Sequence, residues 1–182
     1  MLPAWQINTL IEFTHRWIAS VHTILVVILT VSAWLWHRQH RRILIGTTVA
    51  AALFIFQIAL GALAVEFNLP GGGVMIHLAN ALLLVAVLIY VAVIACTIGT
   101  AGRAPSLAAA LSQSVKLPVI IAVVATYAVA LSGAFVVETG SGAACTSWPL
   151  CGSAFSGPAS QVATIVVAHR FVALIVVLLL GG

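Results

Sequence analysis

The stretch VMIHLANALLLVAVLIYVAVIACTI, residues 74–98, decides the fold. It contains no Lys, Arg, Asp or Glu, and it exceeds the about 20 mostly apolar residues that an α-helix needs to cross hydrocarbon. The apolar-out, polar-in alternation of a transmembrane β-strand is absent from its long block Ala79 to Ala95. Four more such runs are found at about residues 13–36, 43–65, 117–138 and 161–182. The expectation is therefore an all-α, polytopic transmembrane bundle. Composition agrees, with 63% of the 182 residues hydrophobic and only 5% charged, where a soluble domain carries roughly a quarter charged residues. Such a chain has the lipid bilayer as its partner, not nucleic acid.

Charge sets the expected orientation. The cluster His37-Arg38-Gln39-His40-Arg41-Arg42 follows the first apolar run instead of preceding it, which does not match a cleavable signal peptide. With Arg103 and Lys116 it accounts for five of the seven basic residues. By the positive-inside rule these loops face the cytoplasm. Residue 1 then lies outside a plasma membrane and residue 182 inside, with the loops 66–76 and 138–160 on the outer face.

Three histidines lie within or at the edge of these apolar runs: His15, His77 and His169. Two sit in a repeated context, Thr14-His15-Arg16-Trp17-Ile18-Ala19 and Ala168-His169-Arg170-Phe171-Val172-Ala173. Ionisable side chains in hydrocarbon are costly and mark function, and haem iron is the obvious occupant for imidazoles entering from one side of the membrane. The bland alternative for each is a histidine hydrogen-bonded to a neighbouring helix. His15 and His77 suit the two axial positions of a low-spin haem. Arg16 suits a propionate, and Arg170 is expected to bind cofactor from the same place in the repeat. His22, about 10 Å deeper than His15 on nearly the same face, reads as a packed or water-bonded residue, and His37 and His40 read as headgroup contacts. Glu12, three residues before His15, is either a proton acceptor beside a bound substrate or an interfacial carboxylate favoured by the helix dipole. Glu66 and Glu138 read as boundary residues. Gln57 is placed to hydrogen-bond across the bundle, and Cys96 reads as packing.

The outer loop holds Cys145 and Cys151. An oxidising compartment favours their pairing; two unpaired thiols is the other reading. A bond over so short a loop contributes roughly 2 kcal/mol and acts as a local shape constraint.

Taken together these segments resemble the haem A synthase family. Ile11-Glu12-Phe13-Thr14-His15-Arg16 is similar to the motif of that family's second helix, Phe56-Gln57-Ile58-Ala59-Leu60-Gly61-Ala62 to its third, and Gly73-Val74-Met75-Ile76-His77 to its fourth. Gly133 to Cys145 with Trp148-Pro149-Leu150-Cys151 resembles the end of its fifth helix and the cysteine loop, and Ala168-His169-Arg170-Phe171 its sixth. The resemblance implies a pseudo-symmetric four-plus-four helix architecture, with three helices of the first half in 1–98, a cytoplasmic linker at 99–116, and two helices and the cysteine loop of the second half in 117–182. It implies that His15 and His77 are paired haem ligands on the substrate side and that Glu12 is the reactive-site carboxylate. It implies that His169 is one ligand of a haem b, and that Cys145 and Cys151 are that half's outer pair. The implied reaction oxidises a methyl group of haem O to the formyl group of haem A for terminal oxidase assembly. The implied partners are haem O and its upstream synthase, an unidentified electron donor and a possible second copy of the chain. Nothing here corresponds to the family's first and seventh helices, so a fragment covering the second to sixth is expected. The alternative function is a non-catalytic b-type cytochrome or haem-binding assembly subunit, in which Glu12 has no role.

Overall fold

The computed structural model describes residues 7–66, 73–99, 113–145, 147–152 and 160–181. Five long helices follow one another: α1 (Ile7–Trp36), α2 (Arg41–Glu66), α3 (Gly73–Gly99), α4 (Gln113–Glu138) and α5 (Ser160–Gly181). A short 3₁₀ turn, Ser141–Ala144, follows α4, and no strand occurs among the residues described. Every one of the five expected runs is a helix long and apolar enough to span a bilayer, and the chain is a multi-pass membrane protein. Most of the expected linker, with Arg103, lies outside the described residues, as does most of the loop after α2, with Pro70.

Large apolar side chains are exposed along all five helices, among them Ile55 at 69% and Leu178 at 67%. Such surfaces are tolerable against lipid or another apolar helix. Two compact units are distinguishable.

Unit 1 is Met1–Phe56 with Leu83–Thr100. Its buried apolar residues are Val26 and Ala33 on α1, Ile43 and Ala50 on α2, and Leu84 and Val91 on α3. Within each helix the two are seven residues apart and so share one face. Thr47, fully buried between Ile43 and Ala50, donates to its own helix at Ile43 O (3.0 Å), and its backbone carbonyl accepts from Thr30 Oγ1 of α1 (3.4 Å). Trp34 Nε1 donates to Thr48 Oγ1 at 3.1 Å. At the basic turn between α1 and α2, the Arg38 guanidinium donates to Trp34 O, placing a cation on the carbonyl end of α1. Gly46 lets α2 approach α3, since a Cβ there would stand 2.6 Å from Val91 Cγ2.

Unit 2 is Gln57–Leu82 with Ala101–Gly182. Its core joins Val136 of α4 to Ala163, Val166 and Val167 of α5, with Cys145 and Cys151 packed among them. These two cysteines form a disulfide with Cα atoms 4.8 Å apart. The bond closes a short loop, as a local shape constraint would, and both cysteines are buried against α4 and α5. Gly140 ends α4 in the left-handed region (φ 65°), where a residue without Cβ is at ease.

Gly46→Val is expected to lower stability in detergent by about 1–3 kcal/mol through overpacking, and Val91→Ala in the same chain to restore most of it. Thermal unfolding of the two single variants and the double variant checks this. Purely additive losses would show that the two positions do not touch.

Candidate functional site

In unit 1, Glu12, His15 and Arg16 are all exposed on the first turns of α1. Arg16 Nη2 lies 2.8 Å from Glu12 Oε1 in an i,i+4 ion pair. Beside them a shallow depression is lined by Phe13, Arg16, Trp17 and Ser20, and the rings of Phe13 and Trp17 meet edge to face with centroids 6.5 Å apart. The residue proposed to bind a propionate and the one proposed to accept protons thus hold each other. His22 is satisfied within its own helix, its Nδ1 2.9 Å from Ile18 O. Cys96, expected to be packed, is instead on an exposed face of α3.

In unit 2, His77 and His169 are both half-buried. His77 sits in an amide network: Gln57 Nε2 donates to His77 O (3.1 Å), and Gln57 Oε1 accepts from Asn80 Nδ2 (2.6 Å). Its ring lies against Gly61 of α2, where a Cβ would be 3.4 Å from Cε1. His169 of α5 lies against Gly133 of α4, where a Cβ would be 3.2 Å from Cε1 and 3.5 Å from Nε2. The Nδ1 of that ring is 2.8 Å from Ser132 Oγ. An alanine at 61 would make ordinary contact, whereas one at 133 would press on the imidazole. Both glycines begin the pattern Gly-Ala-x-x-Val-Glu, Gly61 to Glu66 and Gly133 to Glu138. That repeat could have marked the contact partners of the histidines in advance.

Helix α4 is two-faced. Tyr127 and Glu138 are three turns apart and so share a face; Tyr127 Oη donates to Ala79 O (3.2 Å), and Glu138 Oε1 accepts from Met75 N (2.5 Å). Ser132 and Gly133, roughly 140° and 240° around the helix from Tyr127, meet α5. Glu138 is therefore more than a boundary residue: its carboxylate caps the N-terminus of α3 two residues before His77.

Arg170 does not extend from α5 as a lone cation. Nη1 donates to Ser147 O (2.7 Å) and Pro149 O (3.1 Å), and Nη2 to Cys145 O (3.5 Å). Three carbonyls of the cysteine loop converge on the guanidinium next to His169.

No three histidine, cysteine or carboxylate side chains converge among the residues described. A porphyrin brings its own four nitrogens and asks the protein for only one or two axial ligands. His169 fits that demand: its Nδ1 is held, and the Cε1–Nε2 edge faces a glycine that leaves room a Cβ would fill. Half-buried imidazoles on apolar helices are the kind of side chain with which helix bundles hold metals and cofactors between their helices.

The family profile for cytochrome oxidase assembly proteins matches residues 2–182, and the chain belongs to that family. It is 30% identical to the haem A synthase of Alkalihalophilus pseudofirmus over 83% of this chain and 50% of the relative. It is 28% identical to that of Shouchella clausii over 95% and 57%, and 25% identical to that of Geobacillus kaustophilus over 93% and 53%. The chain spans about half the length of the curated relatives it matches. No solved structure matches it.

Arg170→Ala is expected to loosen the cysteine loop. Losing about 1–2 kcal/mol of restraint makes reduction of the Cys145–Cys151 bond by dithiothreitol roughly 5–30-fold faster, with Arg170→Lys intermediate. Thiol release followed over time measures it, and an unchanged rate would mean that the three carbonyl bonds do not restrain the loop.

Proposed function

We propose that this chain carries the haem-handling part of a haem A synthase, a membrane oxidoreductase that oxidises the methyl group of haem O to a formyl group for terminal oxidase assembly. The observation that carries the reading is the bracing of His77 and His169 against glycines on spanning helices, in a chain whose family is that of cytochrome oxidase assembly proteins. The likeness to haem A synthases supports the reaction.

In this reading His15 and His77 hold the iron of the substrate, haem O, and His169 is one ligand of a haem b. Haem b supplies one-electron exchange when bound. Conversion of a methyl to a formyl group removes four electrons: each of two hydroxylations breaks one C–H bond, forms one C–O bond and passes two electrons to an oxidant from outside this chain, and the resulting geminal diol loses one water. Glu12 accepts protons released at the methyl carbon. An exposed ion pair contributes at most about 1 kcal/mol, so a propionate competes with Glu12 for Arg16 and leaves the carboxylate available.

Helices α1 to α3 (within 1–98) belong to the first half of the architecture and α4 and α5 (117–182) to the second. The basic turn at His37–Arg42 faces the cytoplasm of a plasma-membrane protein, and the cysteine loop and the haem sites lie toward the outside. Haem O comes from its upstream synthase, and electrons from a separate donor.

Glu12→Ala is expected to lower formyl product by about 10²-fold or more while haem content is kept, as read by chromatography of extracted haems. Unchanged turnover would remove the role of Glu12. Haem binding without any turnover in the unmodified protein would leave a b-type cytochrome or assembly subunit. The reduced-minus-oxidised optical spectrum is expected to show a bis-histidine signal that His15→Ala or His77→Ala abolishes, and a colourless protein supplied with haem would overturn the reading.

A further inference from the structure

We infer that Ser132 is a positioning residue that fixes His169 as the Nδ1–H tautomer and so reserves Nε2, with its lone pair, for iron. The inference rests on the reading of His169 as a haem ligand only in its last step. The tautomer itself follows from hydrogen-bond geometry.

A serine hydroxyl has one proton and two acceptor lone pairs. Ser132 Oγ is 2.9 Å from Val129 O and 2.8 Å from His169 Nδ1. A carbonyl oxygen only accepts, so the contact with Val129 uses the one hydroxyl proton. The contact with His169 is then a hydrogen bond only if Nδ1 carries a proton and donates to Oγ. The reverse direction, with Ser132 donating to Nδ1, would leave the Val129 contact without a proton. Both contacts are satisfied together in one arrangement: His169 Nδ1–H to Ser132 Oγ–H to Val129 O. In neutral imidazole the other nitrogen then bears the lone pair, and the tautomer of a ligand histidine is set by the bond its second nitrogen makes.

Two further features point the same way. Gly133, the neighbour of Ser132, faces the Cε1–Nε2 edge, where a Cβ would press on Cε1 at 3.2 Å and touch Nε2 at 3.5 Å. Residues 132 and 133 thus divide the ring between them, one holding its protonated side and the other placing no side chain against the opposite edge. The half-buried site between α4 and α5, in a membrane-spanning segment, also offers little water to scramble the tautomer. With haem bound, the acceptor on Nδ1–H raises the basicity of the imidazole and favours ferric over ferrous iron.

The test uses the full chain in detergent with ¹⁵N-labelled imidazoles and no haem added. His169→Gln identifies the resonance. The unmodified protein is expected to show His169 as Nδ1–H, Ser132→Thr to keep it, and Ser132→Ala to lose that preference. An Nε2–H form in the unmodified protein overturns the inference without recourse to any folding-sensitive variant. Persistence of Nδ1–H in Ser132→Ala overturns the role of the hydroxyl. A second arm adds haem and titrates its potential: Ser132→Ala is expected to shift the midpoint upward and Ser132→Thr to leave it in place. If His169→Gln keeps the haem content and spectrum of the unmodified protein, then His169 is not a ligand. In that event the proposed haem reading fails at this residue while the tautomer result stands.

Discussion

Hydrocarbon accepts and donates no hydrogen bonds, so each polar side chain within a spanning helix has to find its partner in the protein. This constraint organises the molecule. Thr23, Thr30, Thr48, Thr126 and Thr164 each donate to the carbonyl four residues earlier in their own helix, and His22 contacts Ile18 O in the same manner. Each is satisfied within its own helix, and Thr30 and Thr48 in addition meet a neighbouring helix, at Thr47 O and Trp34 Nε1. A smaller group reaches across: Gln57 to His77 O, Asn80 to Gln57, Tyr127 to Ala79 O and the Ser132–His169 pair. Within unit 2 the crossing bonds gather around His77 and His169, whereas those of unit 1 join α1 to α2.

Arg170 follows the same constraint at the helix end. Its guanidinium has five donors and finds three backbone carbonyls in the Cys145–Cys151 loop. The buried disulfide shapes the loop, and the loop presents the carbonyls. A redox bond, a cation and a candidate ligand are thereby linked through two adjacent residues, Cys145 reaching His169 by way of Arg170.

The helices were legible from the sequence because span length is a collective property of some twenty residues, and no single misreading alters it. The histidines stood out because imidazole is rare in hydrocarbon, and Gln57 for a similar reason. Ser132 gave no such signal. A serine in a spanning helix usually bonds its own backbone, and Ser132 does so at Val129 O; that its other side meets His169 depends on the rotation of α4 against α5, which periodicity alone does not specify in helices apolar all round. Gly133 and Gly61 carried one signal, the repeated Gly-Ala-x-x-Val-Glu, but it does not show their role, which is the absence of a side chain at a close approach. Arg170 carried a signal, its place in the repeat with Arg16, but the repeat is blind to the cysteine loop, which has no counterpart beside Arg16 among the residues described.

The two-faced character of α4 gives these local bonds a common dependence. Its contacts with α3 fall at Met75 and Ala79, two residues to either side of His77, while its opposite side carries Ser132 and Gly133 against His169. A rotation of α4 that improved one set would spoil the other, because about 100° separates successive residues. The clamp on α3 therefore also fixes the angle at which Ser132 meets the imidazole of α5. Glu138 is central to this: as a carboxylate on the backbone N–H of Met75 it makes a charge-assisted bond at the one end of α4 that is also tied, through Gly140 and the 3₁₀ turn, to the disulfide. The orientation of both imidazoles is thus a property of one helix pinned at its end, and the stability of that pin limits how firmly either ring is held.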